Sequence, residues 1–257
     1  MFYKAKSGSL VPAYICFFIP VVKNRIILLI LFIFFAAGPA LGQGYKDEKY
    51  IDIDVLGWNV KVNQRLVEGD TSILKKSLGL FGKELFDITH VLPPTSIAIL
   101  KTVMFWFEKE TTTHGYTGEF WPPSAKKYLI DHGGDPRKAG GIEIVAGRYI
   151  DAKALMEDWV ILHELAHAFN YLQRRFDNKI KTAYDVILRA GLYANVRRGF
   201  DTHHHGYALT NYKEYFAEIT TMYFGHNSYY PFDRFDLRHY DPIGYKLVEE
   251  MWDVHEK

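Results

Sequence analysis

The stretch I-L-H-E-L-A-H-A-F-N, residues 161–170, places His163, Glu164 and His167 within one apolar-periodic segment. The apolar positions Val160, Ile161, Leu165, Ala168, Phe169 and Leu172 recur at i, i+3/i+4 spacing, which predicts one helix over 152–174. On a helix, residues i and i+4 lie one above the other. His163 and His167 can therefore aim both imidazoles at one point, and two nitrogens at about 2.0–2.1 Å suit Zn²⁺. Glu164 lies about 100° further round the helix, at the edge of that point, where a base for a metal-activated water belongs. In a chain of this length H-E-x-x-H arises by chance on the order of a few per cent of the time. A bare amphipathic helix with two histidines needs no further ligand, so a third ligand is what separates the two readings.

The extended pattern H-E-x-x-H-x-x-G-x-x-H fails, because Asn170 and Gln173 stand where Gly and His are required. Asn170 is expected to pack or cap locally. Further on, Y-A-L-T-N-Y-K-E-Y-F-A-E, residues 207–218, carries Glu214 and Glu218 one turn apart on a helix predicted over 212–224, capped by Asn211 and stopped by Gly225. They sit among Tyr215, Phe216, Ile219 and Phe224. Acids on an apolar helix side are costly unless neutralised. Zinc bound by one and a histidine N–H held by the other would neutralise both.

H-E-L-A-H followed by Y-x6-E-Y-F-A-E resembles the family of the anthrax lethal factor catalytic domain and the Pro-Pro endopeptidases, gluzincin-type zinc metallopeptidases. The motifs span roughly 140–225, with a looser likeness over 45–257. The resemblance implies a zincin-like α+β fold in which a small mixed sheet precedes an active-site helix and a helical C-terminal half. It implies one Zn²⁺ held by His163, His167 and Glu214, Glu164 as general base, Tyr207 stabilising the oxyanion, and Glu218 orienting a ligand histidine. The toxin's receptor-binding and substrate-capturing domains have no counterpart here, and Pro-Pro specificity does not carry over. Two His and one Glu leave a fourth position for water, in keeping with the same assignments. Three successive histidines, His203, His204 and His205, cannot all face one metal; they read as a loop near the cleft. His205 is the alternative third ligand and a possible substrate contact.

The 257 residues are 48% hydrophobic and 24% charged, which suits one substantial core. Four of the 31 basic residues, Lys4, Lys6, Lys23 and Arg25, lie in an acid-free stretch over 1–42, leaving 27 against 30 acids beyond it. Such a near-neutral domain has no global field for nucleic acid. Lys23 and Arg25, the apolar run Ile26–Ala37 and the small residues A-A-G-P-A-L-G predict a signal peptide over 1–42, with export, or alternatively a membrane anchor over 10–41. The single cysteine, Cys16, falls in this leader, so the domain 43–257 has no disulfide. A monomer acting on a peptide or protein substrate is expected, touching a membrane only through an uncleaved leader.

Within 43–257 the alternation of Y-I-D-I-D-V-L-G-W-N-V-K-V-N predicts a hairpin. A helix is expected over 70–89, a buried strand over 101–107, irregular chain over 112–140 with a short helix near 124–131, a strand over 141–145, helices over 178–190 and 241–254, and a loop over 202–206. The strand 141–145 could bind an extended substrate by its edge. W-P-P, 121–123, and Y-Y-P-F, 229–232, read as core or wall. Strands early and helices late give one α+β domain. The rival readings are a catalytically weak peptide-binding or adhesion domain, which would need neither Glu164 nor Tyr207, and a leader-anchored protein with a structural zinc, which would need a fourth protein ligand.

Overall fold

Two strands joined by Leu56-Gly57, both at positive φ, open the folded chain: β1 (Tyr50–Val55) and β2 (Trp58–Asn63) pair antiparallel, as the alternation predicts. The computed structural model describes residues 48–111, 113–155, 159–199 and 201–254. The expected leader, 1–42, lies outside the described residues. The remaining elements are α1 (Gln64–Gly69), α2 (Thr71–Val91), α3 (Pro94–Leu100), β3 (Phe105–Glu108), β4 (Gly118–Phe120), α4 (Lys126–Asp131), β5 (Ile142–Val145), α5 (Ala146–Ala154), α6 (Val160–Leu172), α7 (Asp177–Ala190), β6 (Val196–Arg198), β7 (Asp201–His204), α8 (Tyr212–Phe224), α9 (Arg234–Tyr240) and α10 (Pro242–Trp252). This is a mixed α+β fold with its sheet in the first half and most of its helix in the second.

The five-stranded sheet runs β1-β2-β3-β5-β4, with β2, β3 and β5 parallel and β1 and β4 antiparallel at the edges. Period-two alternation sorts its faces. Val60, Val62, Phe105, Phe107, Ile142 and Ile144 point into the main core. There Phe81 of α2 meets Phe105 and Phe107 edge-on at 4.9 Å each. Trp106, Glu108 and Glu143 take the other face. The core continues through α6, α8 and α10, where Phe169 stacks on Trp252 at 3.9 Å.

Several expectations need correction. The strand over 101–107 begins only at Phe105, because 101–103 form a turn after α3, whose start Pro93-Pro94 sets. The single helix over 152–174 is two, α5 and α6. Glu84 of α2 explains the fresh start: its Oε1 accepts the Ile161 N–H at 2.7 Å, capping α6 where Trp159 offers no side-chain bond. The chain over 202–206 is not all loop, since β7 pairs antiparallel with β6. β4 forms inside the stretch read as irregular. It closes the outer edge of β5, so 141–145 is paired on both sides and cannot receive a substrate strand. No described helix is long and apolar enough to cross a membrane.

Candidate metal centre and cleft

α6 and α8 pack side by side, and each contributes polar side chains to their shared groove. His163 and His167 face Glu214 of α8. His163 Nε2 lies 3.0 Å from Glu214 Oε2, His167 Nε2 lies 3.2 Å from the same oxygen, and the two nitrogens are 3.2 Å apart. Among the described residues these three form the one group of His, Cys and acidic side chains close enough to share a metal ion. Behind them, His163 Nδ1 is 3.1 Å from Glu218 Oε1, and Asn227 Nδ2 donates to Glu218 Oε2 at 2.8 Å. The loop after α8 thus fixes the acid that fixes the histidine.

The donor set fits a tetrahedral metal on two counts. Ligand atoms about 2.0–2.1 Å from a tetrahedral Zn²⁺ are about 3.3 Å from one another, close to the spacings here. With Nδ1–H of His163 given to Glu218, Nε2 keeps its lone pair, and that lone pair faces a carboxylate oxygen. Such convergence needs a positive charge between them, a metal or a proton. Without a metal, burial opposes charge on His163, but its bonds to Glu214 and Glu218 outweigh this and raise its pKa well above the usual value. Burial would likewise push the Glu214 carboxyl up; the bonds from His163 and His167 outweigh it and hold the carboxyl well below the usual range.

Asn211 ties this geometry to the backbone. Its Oδ1 accepts the N–H groups of Lys213 at 2.9 Å and Glu214 at 3.1 Å, so the predicted cap also holds the residue that completes the trio. Glu164 is buried on the sheet side of α6, and its Oε2 accepts the Phe120 N–H from the outer edge of β4 at 2.8 Å. Gly118 permits this approach: a Cβ there would stand 3.1 Å from Glu164 Cγ and 3.2 Å from Ile144 Cδ1. At the other end Gly225 lets Trp159 lie flat, since a Cβ would sit 2.3 Å from its ring.

The groove opens into a cleft of about 390 Å³. One wall is β4 with Tyr116 and Glu119; the floor is α6 with Glu164; the far wall is α8 and the segment His226–Tyr229, with Arg198 of β6. Tyr207 lines it too, its ring 6.0 Å from His163, and burial followed by the Glu214 charge raises its pKa. The structure thus brings His163, Glu164, His167, Tyr207, Glu214 and Glu218 to one cleft. It does not bring His205 there: that residue is exposed and outside the lining. His203 lies in β7, and His204 pairs with Asp201 at 3.1 Å. Asn170 is buried with its Oδ1 unbonded. Trp121 is buried and donates to Glu143, and Tyr229 is a wall of the cleft. Sequence reasoning missed Gly118, Glu119, Trp159 and Arg198. T-G-E-F-W, 117–121, is too short to carry a periodic signal for β4.

No protein-family model, curated protein or solved structure matches the chain.

Proposed function

We propose that the chain is a zinc-dependent peptidase of the gluzincin type, with a zincin-like domain that hydrolyses peptide bonds in a peptide or protein substrate, exported by its leader. The observation that carries this reading is the convergence of His163, His167 and Glu214 beside a carboxylate, Glu164, held by the edge strand of an open cleft. Bound there, zinc would supply a Lewis acid that polarises a carbonyl and lowers the pKa of water.

The chain's own residues supply the rest. Glu164, oriented through one oxygen by Phe120 N–H, keeps the other to accept a proton from the attacking water. The water oxygen bonds to the scissile carbonyl carbon. The raised pKa of Tyr207 keeps its hydroxyl protonated, so it can donate to the oxyanion. The C–N bond then breaks as Glu164 returns the proton to the leaving amine. Glu218, itself held by Asn227, keeps the Nδ1 proton on His163, which leaves Nε2 as a ligand.

The test is a three-way comparison on the full chain, with zinc content by elemental analysis and cleavage of a peptide mixture by mass spectrometry. Wild type should hold one zinc and cleave. His167→Ala should lose the metal. Glu164→Gln should keep it while turnover falls about 10²–10⁴-fold. A Glu164→Gln chain that cleaves at the wild-type rate would remove Glu164 as the base, and a wild-type chain that takes up no added zinc would remove the reading as a whole.

A further inference from the structure

Glu119 stands on β4 in register with Glu143 of β5. Like charges on facing strand positions repel unless each finds a partner. Glu143 has one: Lys138 Nζ lies 2.8 Å from its Oε1. Glu119 has none; among the described residues no lysine, arginine or histidine forms an ion pair with it. It is half-buried, lines the cleft, and has the carboxylates of Glu164 and Glu214 as its strongest electrostatic neighbours, ahead of Glu143. Arg198, also on the lining, lies over the Tyr229 ring at 5.2 Å and does not pair with Glu119.

The charge balance of the cleft sharpens this. Four carboxylates, Glu119, Glu164, Glu214 and Glu218, serve a site whose metal would bring two positive charges and whose histidines bind as neutral ligands. The two charges of that metal match Glu214 and Glu218. Glu164 is matched in turn by the proton it takes. Glu119 is left, partly desolvated, on the lining of the same cleft. A half-buried carboxylate without a counter-charge is unfavourable in the free protein and becomes favourable when a ligand supplies the cation.

We propose that Glu119 is a specificity-determining residue that selects substrates with a positive charge, a protonated amine or a guanidinium, close to the scissile bond. The inference rests on the peptidase reading and adds its substrate class. The cation has two possible sources, a Lys or Arg side chain within the peptide or a free N-terminal amine, and the chemistry recognised is the same.

The zinc-loaded full-length chain is given a mixed peptide library, and the cut sites are read by mass spectrometry. The best sequence is remade with its Lys or Arg replaced by norleucine and, separately, with its N-terminus acetylated. Cut sites should carry a positive charge within a residue or two of the bond. Glu119→Gln should lower the kcat/KM ratio of charged over neutral peptide on the order of 10- to 100-fold with zinc content unchanged. Glu119→Lys should turn the preference toward acidic or neutral peptides. Loss on norleucine replacement assigns the side chain; loss on acetylation assigns the amine. Cleavage without charge preference, or a preference that survives Glu119→Gln, overturns the proposal and leaves the peptidase reading standing. No cleavage of any peptide by the zinc-loaded wild type removes that reading, and the proposal falls with it.

Discussion

The molecule holds two carboxylate clusters, one on the sheet face turned away from the main core and one around the cleft, and they are finished differently. Behind the sheet, Lys138 reaches Glu108 and Glu143 at 2.8 Å each, Tyr50 donates to Glu108 at 2.6 Å, Asn63 donates to it at 2.7 Å, and Trp121 donates to Glu143 at 2.8 Å. A protein cation neutralises two acids that are almost wholly buried. In the cleft, the ion-pair partners of Glu214 and Glu218 are histidines, Asn227 also donates to Glu218, and among the described residues Glu119 forms no ion pair. The first cluster is closed by its own side chains and serves the fold. The second is short of positive charge and has an opening to receive it. A buried acid thus points to a ligand only when the protein has not already provided its partner.

The largest effect should come from breaking the closed cluster. Lys138→Met removes the lysine from two buried acids, leaving Glu143 only the nearby His114, and should cost about 3–5 kcal/mol in denaturant unfolding of the metal-free protein. A loss within about 1 kcal/mol would show that the lysine does not hold this face together. Next comes the acid behind the candidate metal ligands. Glu218→Gln removes the charge that sets the His163 proton and should weaken zinc about 10- to 100-fold in chelator competition. Unchanged affinity would reduce Glu218 to a neighbour. The smallest effect distinguishes Glu119 from both. Burial and then the Glu164 and Glu214 charges push its carboxyl up to about 8 in the fold. A group with a raised folded pKa takes up its proton more readily in the folded chain. Its contribution is therefore fully present below the unfolded value, near 4.5, and is lost as pH rises through about 8. Glu119→Gln does not titrate, so in metal-free protein its Tm should gain on wild type between pH 5 and pH 8.5. A gap that stays flat across that window would mean Glu119 is already satisfied.

Much of the cleft was legible because its signals are local. The four-residue spacing of His163 and His167, the adjacent Glu164, the Asn211 cap and the pair Glu214 and Glu218 all follow from helix geometry, and the structure gathers them into one groove. The hairpin 50–63 was readable for the same reason, through alternation and a two-residue turn. What was not legible depends on partners far along the chain. The break between α5 and α6 answers to Glu84. The three-residue β4 has too few positions to show a period, yet it orients Glu164, carries Glu119 and removes β5 from the sheet edge. The pairing of β6 with β7 is short and runs through His203-His204, a composition that reads as loop. α3 and α9 are single short helices whose starts depend on Pro94 and on the Asp233 cap.

The cap that Glu84 places on α6 also bears on the order of assembly. The carboxylate comes from 77 positions before the N–H it satisfies, and it is itself anchored by Tyr149 and Lys153 of α5. Until α2 has docked, the helix carrying both histidines begins with open donors and no fixed end, and Glu214 has no settled partner to approach. Metal capture at this trio would thereby be conditional on closure of the whole domain, so the histidine pair would report on folding as directly as any core aromatic.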